Sequence, residues 1–230
     1  FQESGKPIAP VSYPLPTLTH PLVTLRGVRL RDARPLEKLL AQDRQWLQPW
    51  EATHPIIPAQ EYDQRGAIRS LLQQARKGQG VPLVLESDHE LVGQLNVSQM
   101  SYGSLSSAGL GYWIAKSHAG RGITPVAVAM ITDYLFFERG LHRMEICIVP
   151  DNVPSRRIVE KLGFRFEGLR RRYIHINRQW RDHLCFALVS EEVPQGVLSR
   201  YENSQVPPGV SDIPEYVQIQ MRTPLHLPPR

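Results

Sequence analysis

The sequence predicts an α+β protein built on a mixed, mostly antiparallel central sheet flanked by helices. Three observations lead there. Segments of apolar period two and of period 3.6 follow one another as strand, helix, helix, three strands, helix, strand, helix, two strands. Two pairs of strand-like runs are joined by short turns, Asp88-His89 and Asn177-Arg178-Gln179, as antiparallel hairpins require. The chain has 230 residues, 41% hydrophobic and 21% charged, enough for one cored domain with tails.

Each element has its own reason. Residues 1–21 hold Pro7, Pro10, Pro14, Pro16 and Pro21 and are expected to be an extended arm, because proline fixes φ and removes an N–H. Residues 22–33 (LVTLRGVRLRDA) alternate Val23 with Leu25 and Val28 with Leu30 about Gly27, as a strand does. Asp32 is placed to cap a helix over 33–46, which sets Leu36, Leu39 and Leu40 on one face. Residues 47–58 form a proline-broken connector carrying Trp50, and 59–78 an amphipathic helix stopped by Gly78. Strands follow at 81–87, 90–100 and 108–115. The stretch SHAGRGITPVAV (117–128) then leads into a buried helix over 125–140, with Gly140 past its end. The β-branched run 142–150 is a strand, 154–163 a short helix, and 164–176 with 182–190 the last hairpin. Residues 191–230 carry seven prolines between Pro194 and Pro229 and are expected to be extended or loose, with 215–221 (EYVQIQM) a candidate edge strand. The chain thus divides into an arm (1–21), a folded domain (22–190) and a tail (191–230).

Composition narrows the function. The net charge is +5 and the isoelectric point about 9.4, which favours polyanionic or phosphorylated partners. No long basic block exists; the densest run is Arg170, Arg171, Arg172. Without an aromatic-basic motif, direct nucleic-acid binding is not expected. Cys147 and Cys185 lie in strand-like runs with neither metal-ligand spacing nor a disulfide framework. A reduced, cytoplasmic protein without a metal is expected. No apolar run approaches the length of a membrane span and no signal peptide is visible, so no membrane partner is expected.

The glycine-rich stretch raises the chemical question. A strand entering such a turn and opening a helix gathers free backbone N–H groups at the positive end of the helix dipole. That arrangement binds phosphate. Gly120 and Gly122 permit close backbone approach, Arg121 adds charge, and Pro125 fits a first helical turn. The stretch lacks the G-K-[ST] of a P-loop and the third glycine of a dinucleotide fingerprint. On its own residues, a plain strand-to-helix turn and a phosphate grip both stand.

Two neighbouring segments go further: LGYWIA (110–115) before the turn, and HRMEICIVPDNVPSRRIVEKLGF (142–164) after the helix. With the turn they resemble the GNAT N-acetyltransferase superfamily, and most its Rim-type branch, which acetylates N-terminal α-amines of ribosomal proteins. The family hexad Gln/Arg-x-x-Gly-x-Gly/Ala falls on Ala119–Thr124. Gly122 and Arg121 fit it, while Ala119 and Thr124 depart from it. The Asn-x-x-Ser to Leu-Gly-Phe segment is the stronger element. The resemblance spans about residues 22–190, so the folded domain is expected to be the acetyltransferase domain, with both proline-rich ends outside it.

The resemblance implies a splayed strand pair that binds acetyl-CoA, its pantetheine arm standing in for a missing strand. Tyr112, Trp113 and Ile114 would face the pantetheine by their backbone, with an N–H near Ile114 polarising the thioester. Gly120, Arg121, Gly122, Ile123 and Thr124 would hold the pyrophosphate, and Asn152, with Ser155, would meet the cofactor. An amine attacking a thioester needs a base, and the leaving thiolate a donor. The tyrosine that many relatives place seven residues after the asparagine is Val159 here, so Ser155 is the implied acid; its local alternative is a helix N-cap. The glutamate often found five residues before the asparagine is Cys147 here. Glu145 shares its strand face and, among Met144, Ile146 and Ile148, is a candidate base with a raised pKa; its alternative is a solvated strand residue. His175 in the last hairpin ranks third, after Ser155 and Glu145. Residues 43–55 resemble the acceptor-lining segment, with Trp50, Glu51 and Thr53 as candidate substrate contacts and Glu51 able to hold a cationic amine. Their alternative is packing by Trp46 and Trp50 with a solvated Glu51. The expectation is an acetyl-CoA-dependent N-acetyltransferase of a protein N-terminal amine, a ribosomal protein foremost. A small-amine acetyltransferase (polyamine, aminoglycoside or amino acid) and a non-catalytic acetyl-CoA-binding module stand as alternatives. Oligomeric state is left open.

Overall fold

A computed structural model describes residues 14–56 and 63–225. Among them, eight strands form one sheet in the order β1-β2-β3-β4-β5-β6-β8-β7. The strands β1 (Thr17–His20), β2 (Val23–Gly27), β3 (Val81–Ser87), β4 (Glu90–Ser101) and β5 (Ser107–Ile114) are antiparallel neighbours. Strand β6 (Arg143–Ile148) runs parallel to β5. Strand β8 (Gln179–Val189) joins β6 to β7 (Arg165–Ile176), both pairings antiparallel. The predicted mixed, mostly antiparallel sheet is the one that forms. Both hairpin turns use two residues in the left-handed region, Asp88 and His89 at φ 51° and 66°, Asn177 and Arg178 at 44° and 66°. That geometry matches the twist of the flanking strands. Gln179 pairs with Ile176 and so begins β8 rather than ending the turn.

Alternation along β3 divides the core between two faces. Leu83 and Leu85 join the main cluster with Leu25, Leu95, Ile131, Met144, Phe164 and Phe186. Val84 points the other way, into a smaller cluster with Val28, Ala33, Leu36 and Ile68. Helices α1 (Ala33–Gln42) and α3 (Gln64–Arg76) cover this smaller face. Helix α4 (Ile123–Asp133) fills the main one, every residue from Ile123 to Thr132 being buried. A helix apolar all round is one enclosed on all sides. It continues as a π-type turn over Tyr134–Glu138 before Gly140. Helix α5 (Val153–Leu162) packs beside it, with Val159 and Leu162 buried.

Several expectations need correction. The predicted arm pairs with β2 through β1, while residues 1–13 lie outside the described residues. Asp32 makes no side-chain cap for α1; its carboxylate takes two bonds from the Arg26 guanidinium and one from Arg29 N–H. The helix expected over 33–46 breaks at Asp43, where α2 (Arg44–Leu47) begins. Asp43 Oδ2 accepts the Lys116 N–H at 2.7 Å, a tertiary partner invisible to helix periodicity. The start of the 59–78 helix, residues 59–62, lies outside the described residues, as do 57–58 and 226–230.

The tail is neither extended nor loose over its described part. It forms α6 (Val197–Glu202) and α7 (Glu215–Arg222), the second where an edge strand was predicted. The Asp133 carboxylate, arriving from α4, accepts the N–H groups of Val197 at 2.6 Å and Leu198 at 3.1 Å. Val197 and Val217 bury in the main core, and Arg171 donates to the carbonyls of Gln220 and Thr223. Distant partners thus supply what the proline-rich sequence lacks locally. Arg171 also pairs with Asp182, and Arg170 with Glu145, so most of the densest basic run is engaged within the fold.

Candidate active site

The β5–β6 ladder covers only Ser107–Gly109 against Arg143–Glu145. Beyond it β5 stays on β4 and β6 stays on β8, and the two separate. Ala115 N–H reaches Val92 O at 2.7 Å, so the period of two turns Trp113 and Gly111 toward β4. The N–H and C=O groups of Leu110, Tyr112 and Ile114 therefore face the gap. Ile114 O is met by the Trp46 indole N–H at 3.2 Å. The gap opens into a cleft of about 1340 Å³ bordered by α1, the 46–56 segment, β5, β6, α5 and the last hairpin. That is room for a cofactor arm and a second substrate.

The glycine-rich turn leads from β5 to α4. Gly120 and Gly122 have φ of 78° and 80°, a region that an L side chain enters only under strain. Gly122 is the N-cap of α4 and makes no side-chain cap bond, so the first amides of the helix keep their donors. No atom comes within 4 Å of a Cβ built on Gly120, and Arg121 is exposed. Thr124, in the first turn, lines the cleft.

Across the gap, Asn152 is the N-cap of α5, its Oδ1 accepting Ser155 N–H at 3.2 Å. The cap is therefore Asn152, not Ser155, which sits at the third helical position with its hydroxyl released. Ser155 Oγ meets the Tyr112 hydroxyl at 2.9 Å. Burial pushes the Tyr112 phenol up, and the Ser155 hydrogen bond offsets this in part.

Glu145 does not have the raised carboxyl pKa expected of it. Burial pushes it up, but the Arg170 guanidinium holds both oxygens, at 2.7 and 2.9 Å, and Arg143 adds a third bond. The net direction is down, because paired charges outweigh partial desolvation. Cys147 and Cys185 face each other across β6 and β8 as free thiols with sulfurs 3.0 Å apart. Glu145, Cys147 and Cys185 form one three-donor group, on which Arg170 sits.

On the acceptor side, residues 51–53 run along the edge of β7. Thr53 N–H bonds to His175 O, and Asn177 N–H to Glu51 O. His175 Nδ1 lies 3.0 Å from Thr53 O and 2.9 Å from Thr53 Oγ1. A carbonyl oxygen only accepts, which in the neutral ring assigns the hydrogen to Nδ1 and the lone pair to Nε2. Glu51, the expected holder of a cationic amine, is already paired with Arg44 at 2.5 Å. Trp50 ends a short 3-10 turn at the cleft wall.

A sequence model of the acetyltransferase (GNAT) domain matches residues 23–165, more than half of the chain. The chain belongs to the GNAT acetyltransferase family. Mycobacterium smegmatis RimJ, solved in complex with CoA-disulfide, is 36% identical with a TM-score of 0.76; the match covers 84% of this chain and 96% of that one. The probable N-acetyltransferase YjcK of Bacillus subtilis (strain 168) is 39% identical over 109 residues, 47% of this chain and 60% of that relative. The ribosomal protein uS5-alanine N-acetyltransferase of Escherichia coli (strain K12) is 28% identical over 181 residues, 78% of this chain and 93% of that enzyme.

In this GNAT acetyltransferase the fold brings Tyr112, Ile114, Thr124, Glu145, Asn152, Ser155, Trp50, Glu51 and His175 to one cleft. Trp113 also borders the cleft, but it is the exception among the three residues expected to face the pantetheine by their backbone. Its backbone pairs with Gln94 and its ring packs with the smaller core cluster. Four features escaped the sequence reading: the Tyr112 side chain at Ser155, the Trp46 indole on Ile114 O, the Arg170 clamp on Glu145, and the Thr53 bonds to His175. Only the first had a local signal, since alternation sets Tyr112 and Trp113 on opposite faces. Among the described residues no helix is long and apolar enough to cross a membrane.

Proposed function

We propose that this GNAT acetyltransferase moves the acetyl group of acetyl-CoA onto the N-terminal α-amine of a protein, ribosomal proteins being the favoured acceptors. The observation that carries the reading is the β5–β6 gap, which opens into one cleft with the first turn of α4, Ser155 and His175. The residues suit CoA. The α4 amides with Gly120, Arg121, Gly122, Ile123 and Thr124 would hold the pyrophosphate. The edges of Tyr112 and Ile114 would bond the pantetheine, and the amide nitrogen of Asn152, whose oxygen caps α5, would add a donor. The Ile114 N–H would polarise the thioester carbonyl.

His175 is the base in this reading. The acceptor nitrogen forms a bond to the thioester carbon while Nε2 of His175 takes its proton. The C–S bond breaks with its electron pair going to sulfur, and Ser155 donates a hydrogen bond to the thiolate. An α-amine titrates near pH 8 and needs only a mild base. His183 has the same Nδ1 arrangement, on Arg181 O at 3.0 Å, but is 2% exposed, and burial lowers its pKa. A polycationic acceptor fits less well. Of the carboxylates lining the cleft, Glu51 and Glu145 are held by guanidinium groups, which leaves exposed Glu37 among the described residues. The E. coli relative supports the ribosomal direction by its name.

Incubation with acetyl-CoA and peptides carrying ribosomal-protein N-termini, followed by mass spectrometry, tests the reading. Acetylation at the α-nitrogen is expected. His175→Ala should lower kcat by about 10²- to 10⁴-fold with the KM for acetyl-CoA little changed. Transfer only to polyamines, aminoglycosides or amino acids would replace the acceptor. Tight acetyl-CoA binding without turnover on any amine would make the chain a binding module.

A further inference from the structure

Val159, where the family resemblance implied a helix tyrosine, is fully buried, yet a phenol still reaches this side of the cleft. It comes from the opposite wall. Tyr112 projects from β5 across the gap to α5, packs its ring against the main core, and puts its hydroxyl 2.9 Å from Ser155 Oγ. We infer that Tyr112 is the positioning residue for Ser155, donating to Oγ so that the serine's own hydrogen points at the leaving sulfur.

Either hydroxyl could be the donor in this pair, and the inference gives that role to the phenol. The part-buried phenol O–H can find its acceptor in Oγ. Among the described residues the Tyr112 hydroxyl has one partner, Ser155 Oγ, and Oγ has no other. The Ser155 N–H is already taken by Asn152 Oδ1 and cannot compete for Oγ. With Tyr112 donating, Oγ accepts and the serine hydrogen is left for the cleft. A hydroxyl that accepts one hydrogen bond is also a stronger donor in the next. The phenol itself stays protonated throughout, its pKa raised by burial. No proton leaves the pair. As the C–S bond breaks and its electrons move to sulfur, the developing negative charge is met by the Ser155 O–H, and the thiolate takes its proton from water afterwards. A free serine rotor would lose that alignment in a cleft this open.

The inference rests on the acetyltransferase reading, and one set of four proteins separates the two. Wild type, Tyr112→Phe, Ser155→Ala and the double variant are assayed for thiol release from acetyl-CoA, with the best peptide as acceptor or, if no peptide is acetylated, with water. Tyr112→Phe keeps the ring in the core, and its melting temperature checks the fold. It should lower kcat about tenfold with the KM for acetyl-CoA little changed. The same substitution in the Ser155→Ala background should cost nothing more, because the hydroxyl it orients is gone. Wild-type kcat in Tyr112→Phe overturns the inference. So does an equal loss in both backgrounds, which is what a structural role predicts. Thiol release with water alone would refute the peptide acceptor while still reading the pair. No release by wild type with any acceptor would remove both.

Discussion

Gly122 links one residue's backbone to a ligand site. At φ 80° it is in the region where an L side chain costs about 1–2 kcal/mol, yet only Leu22 Cδ1, at 3.7 Å, lies near the missing Cβ. Gly122→Val would therefore be strained without clashing. The expected result is a modest fall in melting temperature together with a rise of about tenfold or more in the Kd for acetyl-CoA, read by calorimetry. A change in stability alone would make the turn structural. Glu145 carries a related lesson. A carboxylate among apolar strand neighbours reads as a base with a raised pKa, and burial does push it that way. Arg170 and Arg143 arrive from elsewhere in the fold and reverse the direction. The sign at a buried acid belongs to its partners as much as to its burial.

At the scale of elements, α6 shows how a helix of six residues persists. Its first N–H groups have no local cap, since Gly196 precedes them. Asp133, at the end of α4, supplies the acceptor, and the Arg200 guanidinium returns the contact by donating to Leu162 O and Gly163 O at the end of α5. Asp133→Ala should lower stability by about 1–2 kcal/mol, seen as a lower melting temperature, with acetyl-CoA affinity unchanged. An unaltered melting temperature would show that α6 holds by apolar packing alone. The same dependence on distant partners explains α7. EYVQIQM has an alternation that suits a strand, but Val217 buries in the core and Met221, one helical turn on, packs against it, while Arg171 binds the carbonyls at the helix end.

For the molecule as a whole, carboxylate–guanidinium pairs set the response to acid. At Asp32 and Glu145 burial pushes the pKa up, but hydrogen bonds and charge from Arg26, and from Arg170 and Arg143, bring both below the usual carboxylate range. At Glu167, Arg143 is the largest cause and the direction is again down. A group with a lowered folded pKa binds protons more readily when unfolded. Its contribution to stability is present above the unfolded pKa and is lost as pH falls through the folded one. Asp133 runs the other way, since burial raises its pKa and the folded state holds its proton to higher pH. With Asp32, Glu145 and Glu167 set against Asp133, the urea midpoint should fall as pH drops below about 4. Glu145→Gln should flatten that fall. A midpoint independent of pH in this range would show that the pairs contribute nothing.

The sequence by itself determined the class of sheet, the two hairpins, the buried helix and the family. These rest on near-neighbour physics: period-two and period-3.6 patterns, turn residues that tolerate positive φ, and a motif confined to residues 110–164. It also placed Gly120, Gly122, Asn152 and Ser155, each at an element end where the local chain fixes the geometry. Tertiary structure alone decided the rest. Whether Glu145 is a base, whether Glu51 is free for an amine, which nitrogen of His175 carries the hydrogen, and what holds the Ser155 hydroxyl depend on Arg170, Arg44, Thr53 and Tyr112. Arg44 is seven positions from its partner, whereas the others lie between 25 and 122 positions from theirs. A charge or a tautomer is set by whatever stands within about 3 Å, and distance along the chain says little about that.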